Sequence, residues 1–317
     1  MLEREPAGCA GQDVGLSTMT DLFSADFRLE RRHANGIALN VRHDVVPGET
    51  RPPLLLLHGF PQTHAMWHRV APRLRERFAL VLPDLRGYGD SDKPEGPADH
   101  SAYSKRTMAL DCVELMRGFG FDRFSVCGHD RGARVTHRLA LDHPEAVRAA
   151  LLLDISPTLT MYENTTMDFA RAYYHWFFLI QPAPLPERLI GADPVFYLRA
   201  KVGGWGSGGT AFFDPRALAE YERCFTPAAI HAMCEDYRAA ATIDLDHDRA
   251  DDSKRIKCAV RVLWGERGVV HELFTPVTDW QVKSAGNVTG RPLPTGHYIA
   301  EEAPDALVAE MLAFFDR

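Results

Sequence analysis

The segment Val126-Cys127-Gly128-His129-Asp130-Arg131-Gly132-Ala133-Arg134 constrains this chain more than any other. An apolar run ends, one polar residue is flanked by glycines two places before and two after, and a helical pattern begins. Such a strand-to-helix turn is tight, and the neighbouring backbone leaves no room for side chains at the two glycines. It needs a strand behind it and a helix ahead, which commits this part of the chain to a strand–helix unit. The residue at the apex is Asp130. A carboxylate there can attack a saturated carbon and form an alkyl ester without a base to activate it.

The rest of the chain repeats that unit. Residues 27–45 alternate like a hairpin, with Asn35-Gly36 as its turn. Residues 54–57 are four leucines between Pro52-Pro53 and His58-Gly59, a short apolar run of the kind that forms a strand buried on both faces. Further strands are expected at 78–83, 124–127, 149–153 and 258–264, and helices at 103–118, 135–141 and 307–315. Strands alternating with helices predict an α/β fold, a mostly parallel sheet with helices on both faces. Residues 157–246 break the alternation. They are rich in aromatics at helical spacing and read as an inserted helical cap. The expected organisation is a mobile N-terminal tail over 1–21, a core domain over 22–156 and 247–317, and the cap over 157–246. The start of the chain lacks the apolar stretch of a signal peptide, and Met19 is a second candidate start. Segment 244–252 reads as a charged, solvated loop closing the cap. His64-x-x-x-His68 reads as helix surface. Gly204-x-Gly206-x-x-Gly209 follows no strand and reads as a loop, not a dinucleotide site.

The 317 residues carry a net charge of −7. A mildly acidic chain is a poor ligand for nucleic acid or an anionic membrane, and no apolar run reaches the length of a transmembrane helix. The six cysteines form no C-x-x-C pair. They read as thiols of a reducing compartment, so a cytoplasmic location is expected. No metal site and no cofactor are expected.

Taken together, these segments resemble the Asp-nucleophile α/β-hydrolases: epoxide hydrolases, haloalkane dehalogenases and haloacetate dehalogenases. Three further segments carry the likeness. His58-Gly59-Phe60-Pro61-Gln62 is similar to the family's oxyanion-hole loop, implying backbone donors at Phe60 and Arg131. Asp84-Leu85-Arg86-Gly87-Tyr88-Gly89-Asp90-Ser91-Asp92 is similar to its second signature loop. Gly296-His297 is similar to its histidine, implying His297 as the base.

Epoxide hydrolases and haloalkane dehalogenases usually carry Trp after the nucleophile; this chain carries Arg131, with Arg134 three places on. Positions i and i+3 share a helix face, and a helix N-terminus favours an anion. Two guanidinium forks there suit a carboxylate. Asp130-Arg131-x-x-Arg134 resembles the fluoroacetate dehalogenase pattern. The expected substrate is therefore a small halocarboxylate with water as co-substrate, and a homodimer is implied. The resemblance also marks His175, Trp176 and Tyr237 as a halide pocket, three N–H or O–H groups able to face a small anion. Trp205 either shapes that pocket or packs in the cap.

His297 needs an acid to orient it. Asp154 and Glu266 both end predicted strands, where open α/β sheets place their sites; the resemblance favours Asp154. Two alternatives accompany this expectation. One is an epoxide hydrolase, although a His-Trp pair stands where its first cap tyrosine belongs. The other is a ligand sensor on a hydrolase scaffold.

Overall fold

The computed structural model describes residues 22–316; the tail over 1–21 lies outside them. Eight strands form one sheet: β1 (Arg28–Ala34), β2 (Ile37–His43), β3 (Pro53–Leu57), β4 (Ala79–Pro83), β5 (Phe124–His129), β6 (Val147–Leu153), β7 (Ala259–Gly265) and β8 (Val288–Leu293). Their spatial order is β1-β2-β4-β3-β5-β6-β7-β8. The hairpin β1–β2 is antiparallel, and β2 joins β4 antiparallel. From β4 to β8 all pairings are parallel. The hairpin turns on Asn35 and Gly36, both at positive φ, the backbone that matches the twist of its strands.

The parallel strands are apolar because both faces are covered. Leu54, Leu55, Leu56 and Leu57 have no exposed surface, and each contributes about 1.5–3 kcal/mol by leaving water. Helices Lys105–Gly118 and Arg131–Asp142 pack together beside the sheet. Ser104 caps the first, its hydroxyl accepting from the Thr107 amide.

Between β6 and β7 the chain runs through a series of helices, from Thr158–Glu163 to Ile243–Ala250. Several open with Pro in the first turn behind a capping side chain: Asp193 caps Pro194–Val202, Asp214 caps Pro215–Cys224 and Thr226 caps Pro227–Ala241. Their aromatics mostly pack on one another. Phe169, for example, meets Tyr173, Trp176, Phe177 and Phe274 edge-on or tilted.

Three local expectations differ from the structure. Segment 244–252 is mostly helix, not loop. Asp244 and Asp246 sit in its first turn, where the helix dipole favours acids. Asp244 is buried and accepts from the Lys105 amide at 2.8 Å. His64 and His68 are buried, not surface: Nδ1 of His64 lies 2.8 Å from Oδ1 of Asp84, and Nδ1 of His68 lies 3.0 Å from the Ala65 carbonyl. Strand β8 was not anticipated. It carries Gly290 and Pro292, residues that weaken a strand signal and belong at a sheet edge.

Candidate active site

Four connections at the carboxyl ends of parallel strands converge: those after β3, β5, β6 and β8. Asp130 follows β5 with φ 46° and ψ −113°, a strained conformation for a side-chain-bearing residue. The flanking glycines make the turn possible. A Cβ on Gly128 would lie 2.4 Å from the Gly132 carbonyl oxygen, and one on Gly132 would lie 2.4 Å from that of His58. The apex therefore holds the Asp130 carboxylate above the amino end of helix Arg131–Asp142. The Phe60 amide donates to its Oδ1 at 3.0 Å. The Arg131 amide opens the helix, in the first turn where amides have no partner within it.

Asp130 is 6% exposed. Burial pushes its carboxyl up, but the charges of His297, Arg134 and Arg131 outweigh that and leave it below the usual carboxylate value. It is an anion ready to attack. An aspartate free in water would be the stronger base, but here the carboxylate is desolvated and fixed in direction.

Asp154 follows β6, with φ 53°. Its Oδ1 accepts from the Gly265 amide at 2.9 Å, and its Oδ2 lies 2.5 Å from Nδ1 of His297. Nδ1 is thereby fixed as the donor, which leaves Nε2 to take a proton. Burial lowers the His297 pKa, but the bond and charge of Asp154, with Asp130 and Glu302, raise it above the usual value overall. Glu266 is exposed, and its amide bonds the Leu293 carbonyl. Of the two acids considered from the sequence, the structure brings Asp154 to the histidine.

The two arginines differ. Arg131 grips Asp236 through Nε at 2.8 Å and Nη2 at 2.7 Å, and lies 4.2 Å over the Tyr237 ring. Asp236 also accepts from Tyr88 and Lys105. Arg134 is 2% exposed. Its Nη1 donates to Thr158 Oγ1 at 2.8 Å, its guanidinium lies 4.6 Å over Trp176, and its Nε has no hydrogen bond. Among the described residues no carboxylate bonds it. Burial lowers its pKa, opposed by the charge of Asp130.

His175, Trp176 and Tyr237 are all buried, and His175 Nδ1, Trp176 Nε1 and Tyr237 Oη lack hydrogen-bond partners. His175 stacks on Phe60 at 5.8 Å and meets Tyr237 at 5.6 Å. Burial first, then Lys201 and the neighbouring cations, push the His175 pKa well down, so the ring is neutral. Buried polar atoms of this kind normally find partners; the three left without one suit a small anion.

Sequence reasoning missed Asp236 and His129, and it left Trp205 open between pocket and packing. Asp236 orders Arg131, but a residue 105 positions away gives no one-dimensional signal. The indole of Trp205 stands edge-on to His297 at 5.0 Å. The next residue must be glycine because it runs against other backbone: a Cβ on Gly206 would fall 2.0 Å from the Arg267 carbonyl oxygen. His129, next to the nucleophile, bonds the His297 carbonyl through Nε2 at 2.9 Å, and burial drives its pKa down to about 3. Apart from this centre, Asp90, Glu220 and Cys224 bring ligand atoms within 4.8 Å. Arg223 already bonds both carboxylates, at 2.5 and 2.7 Å, so the cation there is its guanidinium.

A family model described as alpha/beta hydrolase fold matches residues 52–207. The chain is 48% identical over 267 residues to a fluoroacetate dehalogenase of Burkholderia sp, covering 84% of this chain and 88% of that protein. It is 32% identical over 291 residues to a soluble epoxide hydrolase of Corynebacterium sp. (strain C12), covering 90% and 98%. A solved alpha/beta hydrolase from Nostoc sp PCC 7120 superposes with a TM-score of 0.88 at 51% identity, covering 91% of this chain and 98% of that one.

Proposed function

The chain belongs to the alpha/beta hydrolase fold family, and we propose that it is a haloacetate dehalogenase that converts fluoroacetate to glycolate and fluoride through an ester on Asp130. The observation that carries this reading is Arg134, a buried guanidinium that no carboxylate among the described residues bonds. A cation out of water needs an anion, and a substrate carboxylate supplies it. The free Nη1 edge of Arg131 adds a second donor, since its grip on Asp236 uses Nε and Nη2.

With the carboxylate so held, a carboxylate oxygen of Asp130 attacks the α-carbon. The carbon–fluorine bond breaks and fluoride takes the electron pair. His175, Trp176 and Tyr237 offer it the N–H and O–H donors they do not otherwise use. Placing donors where charge develops is what a strong bond to a poor leaving group requires. His297, oriented by Asp154, takes a proton from water, and the hydroxide attacks the ester carbonyl of Asp130. The amides of Phe60 and Arg131 stabilise the oxyanion. Collapse restores Asp130, and the proton held by His297 neutralises the departing glycolate alkoxide. No cofactor takes part.

We read residues 157–246 as the cap domain over a core of 22–156 and 247–317. The cap exposes Leu185, Leu189 and Phe196, the last 70% exposed, and we take this apolar face as the contact of a homodimer. Cys112, Cys127, Cys224, Cys234 and Cys258 are free thiols, which supports a cytoplasmic location. Among the described residues no helix is long and apolar enough to cross a membrane.

The test is halide release by the purified protein from fluoroacetate and chloroacetate in parallel, read with ion-selective electrodes. Fluoride release is expected. The epoxide hydrolase reading has the Corynebacterium relative in its favour. Styrene oxide turnover that survives Arg134→Ala, with no halide from either acid, would establish that reading instead. In a single turnover in heavy-oxygen water, label is expected in Asp130 before glycolate.

A further inference from the structure

Glu301 is buried, 1% exposed, and lies three residues beyond the Gly296-His297-Tyr298 segment. Its Oε2 lies 2.6 Å from Nε2 of Gln62, and its Oε1 lies 2.9 Å from the Tyr221 hydroxyl. Nε2 of Gln62 also lies 3.3 Å from that hydroxyl. The three groups come from three places: Gln62 from the oxyanion loop, Tyr221 from the inserted helix Pro215–Cys224, and Glu301 from the turn that follows the histidine.

Among the described residues no cation bonds this carboxyl. Arg69, whose charge reaches it, spends Nη1 on the carbonyls of Glu301 and Phe212, at 2.9 and 3.1 Å. Asp214, at the head of the Tyr221 helix, adds negative charge and is itself paired with Arg216. On its own segment Glu301 has Tyr298 and Glu302 as neighbours. Glu302 is already engaged by Ser207, by Arg267 and by the amides of Gly296 and Tyr298. A carboxylate in such a place carries a desolvated charge with only two neutral polar partners.

We propose that Glu301 is a positioning residue: as the neutral acid shared by Gln62 and Tyr221, it fixes the oxyanion loop, the histidine segment and the cap in one relation, and its ionisation releases that relation. The link to catalysis is short. Gln62 stands two residues from Phe60, whose amide bonds Asp130, and the Gln62 amide closes the same turn on the Gly59 carbonyl at 2.9 Å. Burial pushes the Glu301 carboxyl up to about 8, against the bonds from Tyr221 and Gln62 and the charge of Arg69, which favour the ionised form. The lock is therefore closed at neutral pH; on the alkaline side the two bonds strengthen, but a buried charge that no cation meets draws in water, and the lock opens. The effect on turnover rests on the dehalogenase reading above; the effect on stability does not.

The experiment compares the parent protein with Glu301→Gln, Glu301→Ala and Tyr221→Phe. Halide release and thermal melting are each followed from pH 5 to pH 9.5. The parent should lose kcat on the alkaline side near pH 8. Glu301→Gln, neutral at every pH, should lack that decline. Glu301→Ala should lower kcat at pH 7 by about tenfold through two orphaned polar partners, and Glu301→Gln should restore most of it. Tyr221→Phe removes a bond that favours the charged form, so the decline should move to higher pH.

Melting gives the second arm. The native carboxyl holds its proton up to about pH 8 while the unfolded one releases it from about 4.5. Over that interval the parent loses the Glu301 contribution as pH rises and the Gln variant has none to lose, so the Gln variant gains on the parent and the gap between them changes steadily. A gap that stays constant with pH overturns the inference whether or not the protein releases halide. An alkaline decline of kcat that persists unchanged in Glu301→Gln overturns it in an active enzyme. Absence of halide release by the parent, with a gap that changes in this way, overturns the dehalogenase reading and leaves the neutral Glu301 lock in place.

Discussion

Oδ2 of Asp154 and Nδ1 of His297 lie 2.5 Å apart, joined from positions 143 residues distant in the chain. The sheet makes this meeting possible. Asp154 ends β6, and its other oxygen is held by the Gly265 amide at the end of β7. One carboxylate thus ties the adjacent strand to the histidine segment that follows β8. The geometry commits His297 to one tautomer and leaves Nε2 for water.

His297→Ala is expected to stop the reaction halfway. Asp130 would still expel halide, giving one equivalent of fluoride per site and no more. Intact-protein mass should rise by one carboxymethyl group. A variant whose mass stays unchanged after exposure to fluoroacetate would count against an ester on Asp130. Asp154→Asn keeps the shape and removes the charge, and kcat should fall by about 10⁴-fold with KM little altered.

Arg134→Ala should act on substrate capture. Truncating one partner of a buried ion pair costs about 2–5 kcal/mol, so kcat/KM for fluoroacetate should drop by about thirtyfold or more. Turnover of an uncharged haloalkane or epoxide should not gain or lose in step. An unchanged kcat/KM for the acid would remove Arg134 from the carboxylate site.

The acid side of the pH profile belongs to His297. It must be neutral to accept the proton of water, and its pKa lies above 6.5, because Asp154 and its neighbours outweigh burial. Turnover of the accumulated ester should therefore fall as pH drops through a value above 6.5. Stability moves in the opposite sense. The contribution of the protonated pair is complete below pH 6.5 and is lost as pH rises through the folded value. The difference in melting temperature between the parent and Asp154→Asn should be largest in acid and shrink toward alkaline pH.

Trp176→Phe keeps most of the packing and removes one N–H. Loss of a donor at a developing anion typically costs about 10²- to 10³-fold. The loss should be larger with fluoroacetate than with chloroacetate, since chloride leaves without as much help. Equal losses on the two acids would assign Trp176 to packing against Arg134 alone.

Gly132→Ala tests the elbow itself. The added methyl would sit 2.4 Å from the His58 carbonyl oxygen and 2.7 Å from Leu57 Cβ. A cost of about 1–3 kcal/mol is expected from such overpacking, measurable as a lower denaturation midpoint, with turnover reduced because Asp130 and Phe60 are pushed apart.

What could be read in advance follows physical lines. The elbow and the four-leucine strand were legible because tight turns and two-sided burial leave marks at short range: glycines at fixed offsets, and apolar runs between breakers. Asp154 was legible as one of two strand-end acids, favoured by the resemblance, and its contact with Nδ1 of His297 distinguishes it from exposed Glu266. Residues whose partners lie far along the chain left no mark. Asp236 beneath Arg131, Glu301 beside Gln62 and the burial of His64 against Asp84 all depend on the fold to bring them together. The helix over Ile243–Ala250 was hidden for another reason: its acids looked solvated, yet Asp248 and Asp251 face the guanidinium of Arg138.

The nucleophile, its base and the acid all hang from strand ends of the sheet, whereas His175, Trp176 and Tyr237 belong to the inserted helices. In the proposed mechanism, bond-making and leaving-group choice are thus encoded in separate stretches of one gene. Substitutions among the helices can retune which halide departs while Asp130, Asp154 and His297 stand still. A lineage with this layout is free to exchange fluorine for chlorine chemistry by drifting in one segment, with the ester-forming apparatus inherited intact.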